Sequence, residues 1–450
     1  MGKEKLTDIF NKYPETIESP IKMDFTNQAI SIYEGEFALK LNDDLIHIDG
    51  KLEFRWFPSP CAVFMGNPKA NTSLVHEFFK SNEALEVIID NSLFGLGRFI
   101  RVIIGPSNSE YPVQGNIIYP AVEGERSKLV DKIVFSVPNF GDFIGKSVRK
   151  VNKTQYTASK ARLSFECDDY KVCIDRCFDV KERLESLSNN GGYLILSNGS
   201  LEAKKGKLSF DKVNEVMLSL STFLTFLLGK RTSTIFRIGF ENQKEVWKDY
   251  SNYLFDDYYF TTSWMPRKPI TGFDELWKIY RALWENENDR DFLQTAIHWY
   301  IEANTSKFHD TALVNAQAAL ELIYNWWVVE NKQLIMGSDS DKISAANKIR
   351  LIVSQLQLKA HIPTSLTNLS DVIRGIKDVT DGPDAITYIR NAIVHSRKKN
   401  REKLIGLSNE VKLEARELSL YYIELSLLEI LEYKGTITDR MKVYNNGFFI

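Results

Sequence analysis

The chain has 450 residues, 44% of them hydrophobic and 26% charged, which is enough apolar material for two or three domains with separate cores. Its formal net charge of −2 excludes a uniformly basic nucleic-acid coat protein, so contact with nucleic acid would have to come from a local patch. The opening Met1-Gly2-Lys3-Glu4-Lys5 leads into a polar, acidic stretch without a secretory apolar core, and the longest apolar run, Val216 to Leu228, is too short to cross a bilayer, so a cytoplasmic protein with no membrane span is expected.

Short runs rich in aromatic and β-branched residues come first: Ala29 to Tyr33, Leu52 to Phe57, Phe99 to Ile104 and Lys132 to Val137. Gly, Asn and Pro turns separate them, which predicts an antiparallel, strand-rich domain over residues 1–258. Ser188-Asn189-Asn190-Gly191-Gly192 and Ser197-Asn198-Gly199-Ser200 read as turns on either side of Tyr193 to Leu196. A helix from Asp211 to Leu228 follows, Gly229 supplies its stop, and Thr234 to Gly239 adds a last strand. Cys61, Cys167, Cys173 and Cys177 lack a paired Cys-x-x-Cys arrangement and read as reduced thiols. No two of the six histidines have helix-face metal spacing, so neither a metal nor a cofactor is expected.

Pro266 and Pro269 mark the junction, after which helical periodicity dominates residues 262–436. Ala312, Ala316, Ala319, Leu320, Ile323, Trp326 and Trp327 form an apolar stripe, while Glu321 falls opposite it. His298, between Ile297 and Trp299, reads as a hydrogen-bonded packing residue. A final long helix, about Leu404 to Tyr433, is apolar on more than one side, which suggests burial in a bundle and against another subunit. Residues 437–450 read as a short tail. The predicted fold class is therefore α+β, an N-terminal β-rich antiparallel domain followed by a C-terminal all-α bundle.

The most informative stretch is Arg390-Asn391-Ala392-Ile393-Val394-His395. Gly382-Pro383 starts a helix across it, with Ile386, Ile389 and Ile393 as the buried stripe. At roughly 100° per residue, Asp384, Tyr388, Asn391 and His395 share the opposite face and Arg390 lies between the two. Arg390 and His395 are then about 7.5 Å apart along the axis and about 140° apart around it, so one helix does not bring them together by itself. An Arg that grips phosphate through its planar fork and a His that moves a proton near neutral pH are the groups that RNA cleavage through the ribose 2′-hydroxyl requires. The tract that follows contains Arg397, Lys398, Lys399 and Arg401, which would hold phosphates.

Arg390, Asn391 and His395, together with Ala296 to Asn304 and Ala318-Ala319-Leu320-Glu321-Leu322, resemble the HEPN superfamily, and in particular ApeA-like HEPN proteins of prokaryotic defence, over about residues 265–435. The resemblance implies a HEPN-like helical bundle and a metal-independent endoribonuclease acting in anti-phage, abortive-infection defence. His395 would serve as general base or acid, Arg390 would stabilise phosphate charge, Asn391 would orient, and Glu321 would face the motif. Products would carry 2′,3′-cyclic phosphate and 5′-hydroxyl ends. A homodimer through the helical domain would supply a second His, and the β-rich domain would bind a phage-derived trigger. The alternative is a non-catalytic nucleotide- or partner-binding dimerisation module.

Overall fold

The computed structural model describes residues 12–81, 83–102, 112–141, 143–152, 155–167, 169–266, 271–395 and 398–445. It is of mixed α+β class and divides into two compact units, one made of residues up to Ser221 plus Thr232–Tyr259, the other of Thr222–Arg231 plus the chain from Phe260 onward.

The first unit opens with strands Ile30–Leu41 (β1), Asp44–Arg55 (β2) and Cys61–Pro68 (β3), helix Thr72–Lys80 (α1), and strands Leu85–Ile89 (β4), Ser92–Val102 (β5) and Val113–Gly124 (β6). These six strands run in the order β3-β2-β1-β4-β5-β6, and a β3–β6 pairing, with Val63 opposite Asn116, closes them into a barrel. Alternation along each strand sends Leu39, Ile46, Ile48, Leu52, Phe54, Phe64 and Val87 inward.

Strand β6 also pairs with a second sheet. It is built from Lys132–Pro138 (β7), Lys146–Asn152 (β8), Gln155–Glu166 (β9), Tyr170–Arg176 (β10), Ile195–Ala203 (β11), Ile235–Glu241 (β12) and Lys244–Asp249 (β13), in the order β13-β12-β7-β11-β10-β9-β8. Helices Val180–Asn190 (α2) and Phe210–Leu228 (α3) interrupt it in sequence. The sheet has two unlike faces. Ile133, Phe135, Val172, Ile174 and Leu201 make the apolar one, while Ser136, Cys173, Asp175, Asn198 and Ser200 lie on the other.

Asn198-Gly199, read from sequence as a turn, sits inside β11. A Cβ on Gly199 would lie 2.2 Å from Cζ of Phe135, so the glycine is there to admit that ring. Asn198 accepts a hydrogen bond from Ser136 Oγ at 2.9 Å. Gly229 does act as the stop of α3, at φ +73°.

The second unit contains helices Phe273–Glu285 (α4), Glu287–Thr305 (α5) and His309–Ile323 (α6), which runs into a π-helical stretch at Tyr324–Asn331. After it come Ser338–Lys342 (α7), Ala345–Gln355 (α8), Thr367–Arg374 (α9), Gly382–Val394 (α10), Lys398–Ile405 (α11), Asn409–Ile430 (α12) and Arg440–Asn445 (α13). All seven residues of the predicted stripe on α6 and the π-helix are buried. The long helix predicted from Leu404 begins at Asn409, where Ser408 caps the Val411 N–H. Its apolar surplus is used within the chain, since α12 packs on α5, α6, α8, α9, α10 and α13.

Phe223 and Phe226, in the segment that clusters with this unit, meet Trp277, Tyr280, Trp264 and Tyr300 at ring-centroid distances of 5.0 to 6.0 Å. A fragment starting at residue 262 would expose those partners. It is expected to aggregate, whereas one that retains residues 222–231 in trans should stay in solution; sedimentation of the two preparations distinguishes them.

Candidate functional site

Helix α10 starts where Gly382-Pro383 predicts. Asp381 is its N-cap, accepting from the Asp384 N–H at 2.9 Å, and Pro383 occupies the first turn, where no N–H is missed. Arg350 of α8 bonds both Asp381 oxygens, at 2.6 and 2.9 Å, and reaches Asp384 at 2.6 Å. Burial pushes the Asp384 carboxyl up, but hydrogen bonds from Arg350 and Thr380 outweigh this and hold it below the ordinary carboxylate range. Its folded pKa being depressed, the pair stabilises above the unfolded value, near pH 4, and that contribution disappears as pH falls through the folded value. Arg350→Met should therefore lower the melting midpoint at pH 7, and the difference from wild type should shrink steadily as the pH is lowered below about 4, as a series of thermal melts would show.

The buried face of α10 consists of Pro383, Ala385, Ile386, Ile389 and Ala392, with Ile393 only half-buried. Arg390 is half-buried. Its Nη1 donates to Asn391 Oδ1 at 3.2 Å and its Nε is enclosed without a partner. Among the described residues Arg390 makes no ion pair. His395 is the C-cap, exposed, with its backbone N–H on the Asn391 carbonyl at 3.1 Å and φ and ψ of −91° and 102°. The backbone therefore leaves the helix at His395. Tyr388, on the same face as Asn391 and His395, lies under Lys403, whose Nζ is 4.4 Å from the ring centroid, and this docks α11 against α10.

The other predicted positions fare unevenly. Glu321 is half-buried on α6, a helix that packs on α10, but it accepts from Gln317 Nε2 at 3.2 Å and makes no bond to Arg390. Lys398 is exposed and lies 3.9 Å from Glu402. Arg397 lies outside the described residues, as do the side chains of Lys399 and Arg401, although the backbone of the last two is in α11. His298 is exposed, not packed, because the buried positions of α5 run through Ala296, Ile297, Tyr300 and Ile301 and leave it on the outer face.

Sequence reading missed a buried polar cluster. Arg440, 1% exposed, donates to Glu417 at 2.6 Å, to Glu424 at 2.5 and 3.0 Å and to Asn304 at 3.0 Å. Tyr300 adds a 2.6 Å bond to Glu424, and Arg416 bonds the Asn304 carbonyl. Burial alone would lower the Arg440 pKa, but the two carboxylates drive it well above the ordinary guanidinium value. Glu417 and Glu424 are seven apart on α12, so their shared face was the available signal; the residue that answers them stands in the stretch read as a tail. No group of His, Cys, Asp and Glu suited to a metal occurs among the described residues. No helix is long and apolar enough to cross a membrane among those residues.

Residues 125–261 match a family model described as the YopA central domain, and residues 286–448 match the YopA C-terminal domain, a span that includes Arg390, Asn391, His395 and Arg440. No solved structure matches the chain. Over 422 residues, 93% of each protein, the chain is 26% identical and therefore similar to the SPbeta prophage-derived uncharacterized protein YopA of Bacillus subtilis (strain 168).

Proposed function

We propose that the helical unit is a metal-independent endoribonuclease of HEPN type that cleaves RNA by 2′-hydroxyl attack. The observation that supports this most is Arg390, a half-buried guanidinium with an enclosed, unpartnered Nε and no counter-charge among the described residues. Buried donors are nearly always satisfied, so such a group is suited to an incoming anion, and a phosphate fits its fork. His395, exposed at the end of the same helix, supplies proton transfer, with Asn391 steadying Arg390. The basic helix α11, held on this face by Lys403 and Tyr388, gives the phosphate backbone a track.

One histidine does not readily act as both base and acid, so the proposal includes a homodimer that supplies a second His395. The interior position of α12 moves that contact to other surfaces of the helical unit, where Val394 and Ile405 stand exposed beside the motif. Light scattering at micromolar concentration should report about twice the 51.8 kDa chain mass. The proposed setting is anti-phage, abortive-infection defence, with the β-rich unit binding a phage-derived trigger. Incubating the purified protein with mixed RNA in EDTA tests the reaction: fragments with 2′,3′-cyclic phosphate and 5′-hydroxyl ends are expected, and intact RNA at every protein concentration would remove the proposal.

A further inference from the structure

Residues 14–20 lie across the polar face of the second sheet in the first unit, between two cavities of about 600 and 820 Å³. The way this segment is held shows what the face recognises. Its backbone pairs in parallel with the edge strand β8: the Thr16 N–H donates to the Arg149 carbonyl and the Arg149 N–H to the Pro14 carbonyl, both at 2.9 Å. Arg162 and Asp175, opposite one another on β9 and β10, form a two-pronged ion pair at 2.7 and 2.6 Å, and Asp175 is 1% exposed. That pair turns one donor and one acceptor toward the segment. Arg162 Nη2 donates to the Glu15 carbonyl and the Ile17 N–H donates to Asp175 Oδ2, each at 2.8 Å.

All four of these bonds use main-chain atoms of the segment, so they would serve any extended chain of suitable direction. Side-chain chemistry sets the preference. Apart from the segment itself, the two cavities are lined by six basic side chains, Lys132, Arg149, Lys150, Arg162, Lys171 and Arg183, against three acidic ones. Glu15 answers this field by pairing with Arg149 at 3.0 Å while its own side chain stays two-thirds exposed. The segment has no fully buried residue, so it lies on the sheet without being part of its core.

We propose that this face is a peptide-binding groove, occupied at rest by the chain's own residues 14–19, which takes up an extended acidic segment of a partner protein by displacing them. Parallel addition to β8, backbone reading by Arg162 and Asp175, and charge selection by the flanking bases are its three components. Since the resting occupant competes, the affinity measured for an outside peptide equals the intrinsic affinity reduced by the fraction of open groove.

The test uses the full chain and a labelled nonapeptide with the sequence of residues 12–20, followed by fluorescence anisotropy. Ile17→Pro in the chain removes the N–H that Asp175 accepts and opens the groove, and Glu15→Lys opposes Arg149 and serves as a second opening variant should the first melt early. The peptide is expected to bind either variant at least about tenfold more tightly than the wild type, and a peptide with proline at the Ile17 position should not bind. In the wild type, excess peptide should speed hydrogen exchange at the Thr16 and Ile17 amides. Equal affinity for wild type and both variants, no binding by any of them, or preference for a nine-nucleotide RNA over the peptide would overturn the proposal.

Discussion

Arg440→Met is expected to cost the helical unit about 3–5 kcal/mol, because it leaves Glu424 buried without its counter-charge and Glu417 with only Arg416 at 4.0 Å. A loss of that size is a large fraction of the roughly 5–15 kcal/mol that stabilises a typical domain. Methionine fills much of the arginine stem, so the charge deficit accounts for the effect more than lost volume does. Adding Glu417→Gln and Glu424→Gln to Arg440→Met should recover part of the loss, since the buried carboxylate charges are gone while Arg416, which then loses Glu417 at 4.0 Å, keeps its bond to the Asn304 carbonyl. Denaturant melts followed by helical circular dichroism measure both variants. A cost for the single variant below about 1 kcal/mol would mean that water reaches the carboxylates and that the cluster is not the interior network described.

His395→Ala should reduce RNA cleavage by about 10²- to 10⁴-fold while leaving the melting curve nearly unchanged. The structural half of this follows from an exposed C-cap side chain whose removal opens no core cavity. The chemical half rests on the proposed reaction. Arg390→Lys should be severely impaired as well, because an ammonium retains the charge but not the planar fork, and Nε is the enclosed atom. Glu321→Gln separates two roles: its bond from Gln317 makes it a helix-surface contact, whereas a site function would show as a fall in kcat without a fall in stability. A folded His395→Ala protein that cleaves RNA at the wild-type rate would end the assignment.

Local signals made the helices around the motif legible. Gly382-Pro383 fixed the start of α10, and its period placed Asn391 and His395 away from the core, because capping and amphipathicity depend on neighbours in sequence. The same signals misread Asn198-Gly199, where the glycine is demanded by the Phe135 ring sixty-odd residues away. Barrel closure through β3 and β6 and the Arg350 clamp are likewise long-range pairings that leave no periodic mark, and of the Arg440 cluster only the shared face of Glu417 and Glu424 does. His298 was misplaced for a simpler reason: apolar neighbours in sequence are not neighbours on a helix face.

Helix α12 is enclosed by other helices on nearly every side, with Val411, Ala415, Leu418, Tyr422, Ile423 and Leu427 buried alongside its carboxylates and serines. Its amides have no path to water short of a collective opening of the unit, so they set the slowest hydrogen-exchange rates and report global stability. Helix α11, with Ile405 and Lys398 exposed, opens locally at much lower cost. Opening of this unit therefore begins at its margin in α11, while the central helix behaves as a fixed axle.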